Sequence, residues 1–246
     1  MKISILTPSY NSGKYIDRAI QSVISQNYEN FEHIIADGGS RDGTLDILKK
    51  YDHLKYISEP DKGQSDAMNK AFKMSSGDII VYLNADDEFA PEAFNNIYKA
   101  FQTNPKAQMI VGNLLYTDLE ATTIRVPSAK YLDILPYWLN LFPNNPVSYF
   151  YKRIVQEKIG GFEVQDHYAM DYSFLLKAYK RFKIVKINVT LGTFHSDGMN
   201  KTAVVDTGQN SHQTVKQHLK TQSPYLLPYF YFIFLKGMLF QRKSAD

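Results

Sequence analysis

The sequence predicts an α/β fold: a central, mostly parallel sheet flanked by helices. Three observations predict it. Between residues 2 and 112, short apolar runs alternate with amphipathic stretches. The apolar runs are nearly continuous, as in strands buried on both faces. Polar loops carrying Gly and Asp follow the strand ends, where ligands bind in open α/β sheets.

The elements follow in order. "KISILT" (2–7), bounded by Pro8, reads as a first strand. Tyr15, Ile16, Ala19, Ile20, Val23 and Ile24 share one helical stripe, with Ser12 placed to cap it. "EHIIAD" (32–37) is a second strand, and Leu45, Leu48 and Tyr51 mark a helix after it. "LKYIS" (54–58) is a third strand, followed by a helical stripe of Ala67, Met68, Ala71 and Phe72. "DIIVYL" (78–83) is a fourth, and "APEAFNNIYKAF" (90–101) is a helix with Pro91 in its first turn. "QMIVG" (108–112) is a fifth strand. The second half is less regular. "NLLYTDLEATTIRVP" reads as a hairpin, 131–146 as loop or short helices around Trp138, and "VSYFYKR" as a strand. Tyr172, Leu175, Leu176 and Tyr179 give a helix with Asp171 at its start, and "KIVKINVTLGTFH" is extended.

Composition narrows the function classes. The 246 residues are 44% hydrophobic and 22% charged, enough apolar material for a sizeable core. A net charge of +3 is too mild to point to nucleic acid. With no cysteine, disulfides and thiolate zinc sites are excluded, which fits a reducing compartment. "MKISILTPSYN" lacks the longer apolar region and cleavage site of a signal peptide, so a cytoplasmic protein is expected. The apolar stretch Tyr225–Phe240 would span about 24 Å as a helix, short of the roughly 30 Å hydrocarbon core. Flanked by Lys220, Arg242 and Lys243, it suits a segment lying in a membrane interface. The alternative is a tail packed on the domain or on a second subunit.

Four polar loops then meet on one rim: "TPSYN", "DGGSRDGT", "EPDKGQSD" and "NADDE". In the last, Asp86 and Asp87 stand side by side and repel each other. Mg2+ or Mn2+ takes one or two such carboxylates plus substrate phosphates, although a solvated acidic turn has the same sequence. In the second loop, an Asp just past a strand can accept from a nucleobase or ribose, or simply order a strand–helix turn. In the third, Lys62 can meet phosphate, or it can be a solvated helix start. His195 in "TFHSDGMNK" can ligate manganese or bond to phosphate, Lys201 shares the latter option, and a lone His is also commonly structural. Neither GxGxxG nor GxxxxGK[ST] occurs, so a dinucleotide fold and a P-loop lack support.

In this order and spacing the four loops resemble the inverting family 2 glycosyltransferases with a GT-A fold, of the polysaccharide-biosynthesis type. The likeness is strongest over 1–115 and continues more loosely through "GGFEVQDHYAMDYSFLLKAY" (160–179). It implies a nucleotide-sugar half (1–115), an acceptor half (116–218) and a separate aromatic, basic tail (219–246). It also implies roles. Pro8, Tyr10 and Asn11 would wall the nucleotide, and Asp37 would bond to the base. Asp42, Lys62, Gly63 and Asp66 would line the nucleotide or donor-sugar side. Asp86 would face ribose or a metal-bound water, Asp87 would ligate Mn2+ or Mg2+ directly, and His195 would complete the metal side. Asn84 stands where the family motif often has its first Asp, which leaves the direct ligand open between Asp86 and Asp87. Asp171 matches the catalytic carboxylate that deprotonates an acceptor hydroxyl, with Asp166 its competitor and a helix cap the plainer role. The resemblance implies a UDP-sugar donor. With the tail, it implies a lipid-linked glycan acceptor at the inner membrane face. A homodimer is also open.

Rival classes make different demands. A nucleotidyltransferase would want a Gly-rich basic loop after the first strand, where only Gly13 and Lys14 occur. A non-catalytic nucleotide-sugar or glycan-binding module would not need Asp171. A phospho-acceptor domain would use the acidic cluster but has no place for the second half of the chain.

Overall fold

The structure is a computed structural model that describes residues 1–118, 120–166, 169–196 and 207–243. Its strands are β1 (Ile3–Ser9), β2 (Phe31–Asp37), β3 (Leu54–Ser58), β4 (Ile79–Tyr82), β5 (Glu88–Phe89), β6 (Met109–Thr117), β7 (Thr122–Arg125), β8 (Tyr149–Lys152) and β9 (Ile184–His195). Its helices are α1 (Ile16–Ile24), α2 (Thr44–Leu48), α3 (Gln64–Met74), α4 (Ala93–Thr103), α5 (Tyr131–Ile134), α6 (Ile154–Ile159), α7 (Met170–Arg181), α8 (Thr207–Gln222) and α9 (Leu227–Lys243). Among the described residues the strands form one sheet in the order β3-β2-β1-β4-β8-β6-β9-β5, with β7 paired to β6.

The first four strands are parallel; β1, β2 and β4 are buried runs, and β3 is the half-exposed edge. The fifth predicted strand, β6, does not join them directly. Strand β8 lies between β4 and β6, antiparallel to both. Tyr149, Phe150 and Tyr151 are fully buried, and consecutive side chains point to opposite faces, so β8 needs a central position with cover on both sides. Beyond it β6 and β9 run parallel, β5 pairs antiparallel with β9, and the predicted hairpin is β6–β7.

Two hydrophobic layers cover the sheet. One gathers Leu6, Ile80, Tyr82 and Tyr151 with Met68 of α3, Leu175 of α7 and Leu219 of α8. The other gathers Ile3, Ile5, Val81 and Phe150 with Val23 of α1 and Phe94 and Ile97 of α4. Each fully buried aliphatic or aromatic side chain contributes about 1.5–3 kcal/mol.

Several local expectations change. The Ser12 side chain does not cap α1: its hydroxyl bonds to the Tyr10 carbonyl, while its own carbonyl receives the Tyr15 and Ile16 amides. Helix α4 starts at Ala93, after Pro91, because Glu92 adopts a left-handed φ of 60°. Helix α8 has no counterpart in the sequence reading. Its apolar content is thin, but Val215 and Leu219 are fully buried. Residue 219, the expected start of the tail, lies inside this helix. In α9, Phe230 is fully buried and its ring lies 6.2 Å from that of Trp138. Tyr229, Phe232 and Leu235 face outward. Among the described residues no helix is long and apolar enough to cross a membrane.

Candidate active site

A cleft of about 1380 Å³ opens at the carboxyl ends of the parallel strands. Of the residues singled out from sequence, Pro8, Tyr10, Asn11, Gly63, Asp86 and Asp171 line it. Asp37, Asp42, Lys62, Asp66, Asp87 and His195 do not.

The β1–β3 end is built from two loops tied together. Asp37 ends β2 and is 2% exposed. Its carboxylate accepts from the amides of Gly39 (3.1 Å) and Ser40 (2.9 Å) and from the hydroxyls of Ser40 and Ser58. Three of these bonds fall on Oδ2 and one on Oδ1, so Asp37 shapes the loop from behind the cleft wall. Ser40 Oγ in turn receives the Asn11 amide (2.7 Å), and Asn11 Oδ1 receives the Arg41 amide (3.0 Å). Asp42 clamps the first loop to the second by accepting from the Gly13 amide (2.8 Å) and from Thr44. What faces the cleft here is the Tyr10 ring, 66% exposed, beside Gly38 and Gly39. A Cβ on Gly38 would lie 2.6 Å from Asp61 Oδ2 and 3.3 Å from the Tyr10 ring, so glycine keeps this end open.

Gly63, with a φ of +107°, starts α3 and brings Gln64 to the cleft. Lys62 is exposed, and its amide donates to Asp66 Oδ2 (3.1 Å), which also lies 3.7 Å from Lys70 Nζ. This pair shapes the loop that carries Gly63.

The two central acids lie in different surroundings. Asp86 faces the cleft, and the Asp86 carbonyl accepts from Arg18 (2.6 Å). Asp87 is fully buried. Its Oδ2 accepts from the side-chain amides of Asn84 (2.9 Å) and Asn145 (2.8 Å). Its Oδ1 is buried without a hydrogen-bond partner among the described residues. Burial, then the charge of Asp86, push the Asp87 carboxyl well above the usual carboxylate range, against the pull of the Asn145 and Asn84 side-chain amides and of the His195 backbone amide. The backbone amide of His195 reaches Asp87, but its imidazole turns to Glu88. Its Nε2 lies 2.6 Å from Glu88 Oε1, which engages the ring, and it is absent from the cleft wall. Lys201 lies outside the described residues. Among the described residues no group of three or more His, Asp or Glu could hold a metal by itself. The donor set therefore fits a cation that brings most of its ligands with it, with Asp86 in the cleft, Asp87 next to it in the chain, and phosphate oxygens for the rest.

On the opposite wall, Asp171 sits in the first turn of α7, and its Oδ1 accepts from the Tyr172 amide (2.7 Å). Asp166, its competitor, lies outside the cleft lining and accepts from the Ala169 amide (2.8 Å), bracing the turn before α7.

Sequence reasoning missed Gln64, Asn145, Tyr116, Arg125 and Phe142, which also line the cleft. Asn145 had no local signal beyond its place in "PNNP", where its Oδ1 also accepts from the Val147 amide (3.0 Å). Its partner Asp87 is distant in sequence.

The chain was compared with known proteins. The family model for glycosyl transferase family 2 matches residues 4–204. The putative teichuronic acid biosynthesis glycosyltransferase TuaG of Bacillus subtilis is 38% identical over 93 residues, which is 35% of this chain. The chain spans only 36% of the length of TuaG in that match. Among solved structures, S. aureus TarS 1-349 in complex with UDP-GlcNAc gives a TM-score of 0.68 at 20% identity, covering 84% of this chain and 62% of that one. Mannosyltransferase PcManGT of Pyrobaculum calidifontis, in complex with GDP-Man and Mn2+, gives 0.63 at 16% identity, covering 99% and 79%. These structural likenesses bear on the fold, which is GT-A-like, as the strand order and the rim of loops indicated. With most of its length matched, the chain belongs to glycosyl transferase family 2.

Proposed function

We propose that the protein is an inverting, metal-assisted glycosyltransferase that moves a sugar from a UDP-sugar to a glycan acceptor in surface polysaccharide assembly, the acceptor being lipid-linked at a membrane face. One observation carries this reading: Asp86 and Asp171 line a single cleft whose β1–β3 end is an exposed tyrosine beside glycines.

The nucleoside stacks on Tyr10 between Pro8 and the Gly38–Gly39 turn. Asp37, Asn11 and Asp42 hold that turn in shape. Gly63, with Lys62 and Asp66 framing its loop, borders the diphosphate and donor sugar. Asp86 and Asp87 would hold a divalent cation, Mn2+ or Mg2+, which would supply charge to neutralise a departing diphosphate. Asp171, with one carboxylate oxygen fixed by the Tyr172 amide, takes the proton from the acceptor hydroxyl as that oxygen attacks the anomeric carbon. A single displacement with one base inverts the anomeric centre. The UDP-GlcNAc bound by TarS, the Mn2+ in PcManGT and the polysaccharide role in the name of TuaG support this reading by likeness. The outward face of α9 supports a membrane-borne acceptor, since exposed Tyr and Phe suit the interface.

The test is a thermal-shift panel of UDP, GDP, CDP and dTDP, each with and without manganese. UDP is expected to stabilise the protein, and only when manganese is present. A folded sample that responds to no nucleotide would sink the proposal.

A further inference from the structure

In the lining of the cleft, three side chains from three strands form one wall. Tyr116 of β6 and Phe194 of β9 are register partners, and their ring centroids lie 5.3 Å apart. Arg125 of β7 is opposite Leu114, hence diagonal to Tyr116 on the same face. Its guanidinium carbon sits 3.9 Å from the Tyr116 ring centroid. All three line the cleft that holds Asp86 and Asp171.

Arg125 is half-buried, and it takes part in none of the ion pairs among the described residues. Asp118 acts on it only at longer range. A guanidinium held over an aromatic ring is weakly hydrated and retains N–H donors that can fork onto a planar oxyanion. The neighbouring aromatic surface suits the apolar face of a sugar ring.

The two rings of this wall stand on β6 and β9, on the far side of β4 and β8 from the strand that leads to Tyr10. Strands β4 and β8 stand between β1 and β6, which at about 4.8 Å per strand puts β6 roughly 14 Å from β1. Because β9 takes one edge of β6 along 109–117, β7 takes the other, the edge that β8 uses at 109–111, and Arg125 lies on the β8 side of β6. We infer that Arg125, stacked on Tyr116 beside Phe194, forms an acceptor subsite that selects a glycan bearing an anionic group, a uronate carboxylate or a phosphodiester. This rests on the glycosyltransferase reading above and adds to it the charge of the acceptor.

The test measures binding by calorimetry in the presence of UDP and manganese, with UDP affinity determined first. The probes are a glucuronate-containing tetrasaccharide, its carboxyl-reduced neutral counterpart and a glycerol phosphate trimer. One of the two anions is expected to bind about ten-fold more tightly than the neutral probe, as a charge-assisted bidentate pair allows. The two anionic arms tell the carboxylate from the phosphodiester. Arg125→Gln should bring that anion down to the neutral level with UDP affinity unchanged. Arg125→Lys should keep part of the preference, since it retains charge but loses the fork and the stacking. Equal binding of all probes, no binding of either anion, or a preference that survives Arg125→Gln would overturn the inference. So would a loss of UDP affinity in Arg125→Gln, which would assign the guanidinium to the donor diphosphate. A wild-type protein that binds no UDP would instead sink the glycosyltransferase reading, and this inference with it.

Discussion

Asp87 is held by the side-chain amides of Asn84 and Asn145, and truncating it would strand both donors in a buried site. Each unpaired donor costs about 1–3 kcal/mol. Asp87→Ala is therefore expected to lower the urea midpoint clearly. Asp86→Ala should leave the midpoint near wild type and remove the manganese-dependent response to UDP. If Asp86→Ala kept that response, the cleft-facing carboxylate would not be the cation's ligand. Asp171 makes a different demand. Asp171→Asn keeps the shape of the α7 start but cannot take a proton. Sugar transfer should fall by about 10²–10⁴-fold with UDP affinity unchanged, the usual range for a general base. Turnover near wild type would move the base elsewhere, and Asp166 would be the next residue to change.

Two element contacts bury imidazoles and make the packing sensitive to acid. His33 of β2 is fully buried, with Nε2 on Thr7 Oγ1 of β1 at 2.9 Å. Burial, with His53 adding repulsion, pushes it down to about 3. His218 docks α8 on α5 through the Tyr131 hydroxyl at 2.8 Å. Burial, then Lys177 and Lys180, push it down to about 4. Unfolded histidine titrates near 6.5, so below that pH the unfolded chain binds more protons than the folded one. The stabilisation is complete above about pH 6.5 and is lost as pH falls toward the folded values. At pH 5 each site should cost on the order of 2 kcal/mol relative to pH 8. Urea unfolding at the two pH values measures the loss, and His33→Gln should remove about half of it. An unchanged loss in that variant would assign the acid sensitivity to other groups.

Across the whole molecule the C-terminal helix belongs to two environments at once. Phe230 joins the core layer that also holds Leu6, Tyr82 and Tyr151, whereas Phe232 is 66% and Leu235 60% exposed. Deleting residues 223–246 would strip cover from Trp138 and from α8. A Phe-sized loss of about 3–5 kcal/mol predicts a Tm at least about 6 °C lower for a chain of this size. The double substitution Phe232→Ser with Leu235→Ser should leave Tm unchanged and release the protein from anionic liposomes. If the double variant stayed bound, the outward face of α9 would not be the membrane contact.

The sequence by itself determined the α/β alternation, the four parallel strands and the rim of loops that meets at their ends. Continuous apolar runs have a solution only between two covered faces, and the loop residues mark where such runs stop. Pro8, Tyr10, Asn11, Gly63 and Asp86 were legible as cleft residues because they lie in loops at strand ends, whereas Asp171 was legible only through the family resemblance. Only the tertiary structure decided which acid faces the cleft, because the environment of Asp87 is made by Asn145, 58 positions away. It likewise turned Asp37 inward, gave His195 to Glu88, placed β8 between β4 and β6, and brought Arg125 onto Tyr116. These outcomes depend on which strands pair and which side chains meet across them. Such long-range contacts leave no periodicity in the chain, so they become visible only once the sheet is closed.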